Sequence, residues 1–259
     1  MNRKIIADLL SKKKTLEIGP FLRPLIKSEN VKYLDVLSVD DLKKRAEKVN
    51  YHYDEQTAPR EIHYVIKNED WSIIKEKFDA AFSSHCIEHQ ENFIRHLRNV
   101  SNILNSGGSY YLCIPDKRYI FDHYKPITTF GELVDEYTDS GLSFRKYFNM
   151  MLSVHNDCQQ HWEGLHGDRK LTSQDIKDSL KKWGNLKDEY VDFHRRYFTP
   201  KSFYINMILL YKLGYTDLFP VVVTETQHGT SEFYAQLLKN DKIETDIEFS
   251  VSEYFSDMK

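Results

Sequence analysis

Thr15-Leu16-Glu17-Ile18-Gly19-Pro20 opens a series of four pieces whose order decides the fold. Tyr33-Leu34-Asp35 comes second, and Phe78-Asp79-Ala80-Ala81-Phe82-Ser83-Ser84-His85-Cys86-Ile87-Glu88-His89 third. Leu104-Asn105-Ser106-Gly107-Gly108 is the fourth. The first piece is a short apolar strand, Leu16 to Ile18, that runs into a Gly-Pro breaker. Further strands are expected over Val31 to Leu37, Ile62 to Ile66, Phe78 to Ser83 and Ser109 to Ile114. Between them lie helical patterns: residues 3–11, Asp40 to Val49, and Ile87 to Leu104, where Ile87, Phe93, Ile94, Leu97, Val100 and Leu104 recur at near-helical spacing. Strands that alternate with helices over short connections predict an α/β fold, a parallel sheet covered on both faces.

Working outward, the alternation stops at Pro115. Residues 116–198 are polar, aromatic and rich in His, with helical stretches expected near 129–139, 143–154 and 172–182. Pro200 to Leu213 is again helical, with Thr199 as N-cap before proline at the first helical position. Phe219 to Thr226 and Glu232 to Leu238 read as two closing strands. Gln227-His228-Gly229-Thr230-Ser231 joins them as an antiparallel edge hairpin. The expected layout is an α/β core over 1–115, a helical lid over 116–198, completion of the core over 199–240, and a charged tail over 241–259.

A chain of 259 residues, 41% hydrophobic and 29% charged, has the composition of a soluble globular protein. A net charge of −3 does not favour nucleic acid or an anionic membrane as the main partner. Apolar runs such as Ile205 to Leu210 are too short to span a bilayer, and the first residues show no signal-peptide pattern. Cys86, Cys113 and Cys158 are odd in number and far apart, which argues against a disulfide framework and for a reducing, cytoplasmic setting.

In an open α/β sheet, ligands bind beyond the carboxyl ends of the strands where strand order reverses. Gly19 sits at such an end and permits close backbone approach. Asp35 ends the second strand, placed to accept hydrogen bonds from two ribose hydroxyls. Pro20, Phe21 and Leu22 stand where a dinucleotide fingerprint has its later glycines, and no P-loop is present, so a nucleoside without phosphates fits best. Taken together, these pieces resemble a class I S-adenosylmethionine-dependent methyltransferase. The resemblance covers residues 12–115, and 195–240 more loosely. It implies a Rossmann-like, seven-stranded, mostly parallel sheet with an antiparallel edge strand and a helical insertion over the active site. It implies S-adenosyl-L-methionine as cofactor, held by Glu17, Gly19, Pro20, Asp35, Asp70, Ser84 and His85, with Asn68-Glu69-Asp70-Trp71 as the loop that meets the adenine. Phe21 departs from the family pattern, since a glycine is common there.

His85-x-x-Glu88-His89 opens the helix after the fourth strand. Residues at i, i+3 and i+4 share a helix face, and two imidazoles with a carboxylate suit a divalent cation. The element is similar to the zinc-peptidase pattern His-x-x-Glu-His. It is also similar to the Glu-x-x-Glu-His of metal-assisted methyltransferases of the ubiquinone and small-RNA 2′-hydroxyl kinds, and its place after a Phe-Asp strand favours these. His85, Glu88, His89 and His161 are the expected catalytic residues. His85, Glu88, His89 and His155 are the expected ligands of a divalent Mn, Mg or Zn ion. A metal-free role for Glu88-His89, shaping the helix start, is the plain alternative.

Asp116, Lys117, Arg118 and Tyr119 leave the fifth strand beside the expected methyl group. With His155 and His194 they are the expected acceptor-binding residues, Lys117 and Arg118 holding a phosphate or carboxylate. The runs Pro115 to Asp122 and Phe198-Thr199-Pro200-Lys201-Ser202-Phe203 resemble a bacterial subgroup that tailors surface and capsular polysaccharide. That implies O-methylation of a small polar, phosphorylated or anionic acceptor, such as a phosphorylated amino-acid precursor of capsular phosphoramidate. The expected partner is this small molecule, with no nucleic acid and no membrane, and the chain acts as monomer or homodimer. Two rivals stand beside this reading: a zinc metallohydrolase using His85, Glu88 and His89, and a non-catalytic partner subunit of the same fold.

Overall fold

The computed structural model describes residues 1–67, 70–139, 141–186 and 191–240; the tail 241–259, and Asn68 and Glu69 of the loop expected to meet the adenine, lie outside them. Seven strands form one sheet: β1 (Thr15–Ile18), β2 (Val31–Asp35), β3 (Tyr64–Val65), β4 (Phe78–Ser84), β5 (Leu104–Pro115), β6 (Leu218–Val223) and β7 (Glu232–Lys239). Their order is β3-β2-β1-β4-β5-β7-β6. The pairs from β3 to β5 are parallel, and β7 runs antiparallel to both β5 and β6. This is the Rossmann-like, mostly parallel sheet with an antiparallel edge that the family resemblance implies, and the strand–helix alternation predicts its parallel part.

Period-two alternation sends neighbouring residues to opposite faces. Ala81, Tyr110 and Leu112 face one side, under α3 (Phe93–Ile103) and α8 (Pro200–Lys212). Ala80, Phe82, Tyr111 and Cys113 face the other, under α1 (Arg3–Leu10), which buries Ile6 and Leu10 there. α2 (Val39–Lys48) covers the β1–β2 region through Leu42 and Ala46, which meet Leu22 and Ile62.

One element differs from expectation. The helical pattern over Ile87 to Leu104 is split into a 3-10 turn over Ile87–His89 and α3 from Phe93. Asn92 is the cause. Its side chain accepts from Arg95 N and caps α3, while its amide donates to Glu136 O 2.9 Å away. A residue so committed cannot continue a helix from its N-terminal side.

Between β5 and α8 the chain leaves the sheet and forms α4 (Phe130–Thr138), α5 (Phe144–Met151), α6 (Cys158–Trp162) and α7 (Ser173–Leu186). A single parallel bridge between Asp116 and Phe198 joins the two ends of this excursion. Trp162 ties it to the β6–β7 connection, its indole N–H donating to Thr230 O at 2.8 Å. No helix among the described residues is long and apolar enough to cross a membrane.

Candidate active site

Strand order reverses between β1 and β4, which opens a crevice above their carboxyl ends. Gly19 lines it with φ +65°, and a Cβ there would stand 2.9 Å from Cys86 Sγ, so glycine is required twice over. Phe21 is also left-handed, with φ +49°, and the two flank the buried Pro20 in one sharp turn. Glu17 points beneath this turn. Its Oε1 accepts from Leu25 N at 2.7 Å and its Oε2 from Ile26 N at 3.0 Å. Burial pushes its pKa up to about 7, against the pull of those amides. Glu17 therefore shapes the loop that borders the crevice. Asp35 ends β2, accepting from Val36 N at 2.7 Å. Burial raises its pKa, opposed by the amides of Val36, Leu37 and Phe21. Beside it the Val36 side chain is half exposed, an apolar platform at the crevice rim. Asp70 is exposed and caps the 3-10 turn Trp71–Ile73 by accepting from Ser72 N.

The exit of β4 carries a second group. His85 has φ +47°, a strained conformation for a residue with a side chain. That turn aims its ring at the sheet edge, where Nε2 lies 2.8 Å from Glu232 Oε2. Arg3 donates from Nε to Glu232 Oε1 at 2.7 Å and from Nη2 to Oε2 at 2.6 Å, and also reaches Ser84 Oγ at 2.8 Å. Tyr234 donates its hydroxyl to Glu232 Oε1. Burial of Glu232 works toward protonation, but His85 and Arg3 together hold it well below the usual carboxylate range. Neither Arg3 nor Glu232 stands out in the sequence: one opens an amphipathic helix and the other an alternating strand, β7, paired on both sides.

The third group centres on Glu88. Its carboxylate is fully buried, and neither oxygen has a hydrogen-bond partner. His89 Nε2 and His194 Nε2 each lie 3.7 Å from Glu88 Oε1. The two rings meet edge to face, 4.7 Å apart at 84°. Each is oriented from behind: His89 Nδ1 donates to Asp192 at 2.8 Å, and His194 Nδ1 to Asp122 at 2.6 Å. Asp192 in turn pairs with Arg45, and Asp122 with the buried Lys125 at 2.6 Å. Burial would lower the His89 pKa, but Asp192 and Glu88 raise it overall. With each Nδ1–H given to a carboxylate, each Nε2 presents a lone pair toward Glu88. Imidazole backed by carboxylate is the usual support of a metal-bound histidine. An unpartnered buried carboxylate is costly unless a cation or donor faces it. The donor set fits a divalent cation.

The structure thus groups the expected residues differently. Glu88 and His89 are joined by His194, which the sequence assigns to the acceptor. His85 is turned away to Glu232, because residues 85–89 form a strained turn followed by a 3-10 turn, not one helix face. His155 and His161 lie apart, stacked on each other 4.5 Å away in the excursion. His194 is more than a hundred positions from Glu88, and its only signal in the sequence is the short run Asp192-Phe193-His194.

On the acceptor side, Asp116 is fully buried and held by Arg118, whose Nε and Nη2 reach its two oxygens at 3.0 and 2.7 Å. Thr226 Oγ1 also donates to it, at 2.6 Å. Lys117 donates to His123 O, and burial pulls its pKa down to about 8. Tyr119 stacks flat on Trp162 at 3.7 Å. Both cations expected to hold an acceptor anion are therefore engaged within the protein, because the tight turn after β5 folds Arg118 back on Asp116.

Comparison with known proteins bears on this crevice. Residues 19–112 match the model of a methyltransferase domain, the stretch that runs from the β1 turn through β5. No curated protein matches the chain. Among solved structures, it is similar to a S-adenosylmethionine-dependent methyltransferase from Clostridium acetobutylicum. That match has 10% identity and a TM-score of 0.39, and covers 92% of this chain and 89% of that one. A methyltransferase from Pyrococcus furiosus matches at 12% identity and TM-score 0.34, covering 92% and 81%. Magnesium protoporphyrin IX methyltransferase from Synechocystis, solved with bound SAM, matches at 8% and 0.36, covering 92% and 75%. Likenesses this distant carry no argument about substrate.

Proposed function

We propose that this chain, whose residues 19–112 match the model of a methyltransferase domain, moves a methyl group from S-adenosyl-L-methionine to an oxygen of a small polar acceptor beside a divalent cation. The observation that carries the reading is the Glu88 carboxylate: buried, without a hydrogen-bond partner, and faced by two carboxylate-backed imidazoles after the exit of β4.

The residues present fit the cofactor. Gly19 leaves the β1 turn open to close approach, Asp35 offers a carboxylate at the β2 end, and Val36 offers apolar surface beside it. When bound, S-adenosylmethionine supplies an electrophilic methyl on a sulfonium, so the protein needs mainly to align the acceptor. Asp35 accepts from the ribose hydroxyls. His85 already gives one ring nitrogen to Glu232, which leaves Nδ1 to take the proton of an acceptor hydroxyl. Glu232 then stabilises the resulting imidazolium, and Arg3 keeps Glu232 ionised and in place. Glu88, His89 and His194 would hold the cation, whose chemistry there is to polarise and position the acceptor oxygen.

The acceptor class, a phosphorylated or otherwise anionic metabolite, rests on the resemblance of Pro115 to Asp122 and of Phe198 to Phe203. The metallohydrolase reading loses its basis, since it needs His85 and His89 on one helix face. Calorimetric titration with S-adenosylhomocysteine tests the cofactor: we expect binding by the wild type and at least tenfold weaker binding by Asp35→Ala. Turnover assays on phosphorylated small metabolites, before and after chelation, test the rest. No binding of the nucleoside by the wild type would sink the reading, and turnover indifferent to chelator would remove the cation from it.

A further inference from the structure

Outside the site described, His123, His161 and His166 bring one ligand nitrogen each to within 4.8 Å of one another. We propose that these three imidazoles form a second metal site, for a divalent transition metal of the zinc class, which staples the excursion after β5. Nothing in the cofactor or acceptor reading requires it.

Three observations carry the inference. The first is the donor set. The group contains imidazole alone, which suits Zn, Cu, Co or Ni and not Mg or Ca. The second is the orientation of the rings. His123 Nδ1 donates to Arg118 O at 2.8 Å, and His161 Nε2 donates to His155 O at 3.2 Å. Each bond fixes a tautomer and leaves the other nitrogen with a lone pair, as backbone carbonyls do behind metal-bound histidines. His161 Nδ1 then accepts a hydrogen bond from His166 Nδ1 at 3.1 Å, a contact in which an ion would replace the shared proton. The third is the lack of an apolar core beneath the stretch that carries His161 and His166. The apolar clusters of the described residues contain no side chain from 152–167. A stretch without a core of its own is where a metal contributes folding energy.

His155 belongs to the surround and not to the ligand set. Its Nδ1 accepts from Asp157 N and its Nε2 donates to Leu165 O, so neither nitrogen is left. The rings of His123 and His166 are stacked 3.6 Å apart at 12°. One ion cannot lie in both of two parallel ring planes, so loading must tilt these rings apart. His123 directly follows Asp122, the carboxylate that orients His194. An ion held at His123 therefore also steadies the Glu88 group through one peptide.

The test is metal stoichiometry on the full chain, stripped with chelator and reloaded with Co(II) or Zn(II). We expect two equivalents per wild-type chain, with Co(II) giving visible absorption typical of imidazole ligation. His166→Gln and His123→Asn, at half-buried rings that leave the buried His161 in place, should each drop the count to one. Glu88→Gln should lose the other equivalent and keep the imidazole spectrum. If the wild type binds one equivalent and Glu88→Gln abolishes it, the proposal is overturned while the Glu88 site stands. Two equivalents retained by both His variants would overturn it as well. One equivalent in the wild type, lost in both His variants and kept in Glu88→Gln, would support the staple and overturn the cation at Glu88.

Discussion

At the scale of single residues, two buried groups set opposite responses to acid. His96 is enclosed against the Tyr110 hydroxyl, 3.0 Å from its Nε2, and burial lowers its pKa from 6.5 to about 3. It folds neutral, so its contribution is intact above pH 6.5 and is lost as pH falls from there toward 3. Glu17 is the reverse: its folded pKa of about 7 lies above the ordinary glutamate value of 4.5, so the folded state gains stability as pH falls from 7 to 4.5. Each corresponds to about 1.4 kcal/mol per pH unit within its window as an upper figure. Between pH 6.5 and 4.5 the two nearly cancel, and His96 acts alone below that. Urea titrations at stepped pH should show a flat stretch and then a steep decline. His96→Leu should unmask Glu17, with stability rising from pH 7 to 5; a falling curve there would refute the assignment. Glu88→Gln probes the same principle at the site. Without metal, a Gln amide can donate to the His89 and His194 lone pairs where a bare carboxylate cannot. We expect metal-free stability to rise by roughly 1–3 kcal/mol while chelator-sensitive turnover falls at least a hundredfold.

At the scale of elements, turns place the chemistry that strands and helices only support. The β1 turn needs Gly19 in the left-handed region with Cys86 Sγ pressed against it. Gly19→Ala should cost about 1–3 kcal/mol from φ strain and contact together. Cys86→Ala added to it should recover only the contact part, read as the difference in urea midpoints between single and double variants. The helix signals in the sequence were legible where caps agreed with periodicity. Thr199 and Ser202 form a reciprocal capping box at α8, as the Thr-Pro start implies. The pattern over Ile87 to Leu104 was misleading because its apolar residues face one core cluster although the backbone breaks between them. Periodicity reports which side chains are buried, and a turn can preserve that pattern.

At the scale of the whole molecule, the excursion after β5 is packed on the core through α4, whose Leu133 joins the main apolar cluster, while residues 152–167 join no such cluster. The Asp116–Phe198 bridge closes its base, and Trp162 clamps its far side by stacking on Tyr119 and donating to Thr230 O. Trp162→Ala should free that side while leaving the sheet intact. We expect faster proteolytic cleavage within 152–170 and an acceptor KM raised about tenfold or more, with the S-adenosylhomocysteine Kd unchanged within twofold. An equal loss of nucleoside affinity would show that the excursion and the crevice are one cooperative unit. The same excursion supplies Asp122 and His194 to the Glu88 group, so its docking and the cation site are linked.

What the sequence determined by itself is local and ordered: strands that end in Gly19 and Asp35, the alternation that makes a parallel sheet, and the presence of Glu88 and His89 at the exit of β4. These follow from short-range rules, since a strand end, a breaker and a period are properties of neighbouring residues. The tertiary structure alone decided which side chains share a site. It joined His194 to Glu88 and His89, gave His85 to Glu232 and Arg3 from opposite ends of the chain, and folded Arg118 onto Asp116. A left-handed turn at His85 and the docking of a long excursion set those distances, and neither is encoded in the spacing of the residues they bring together.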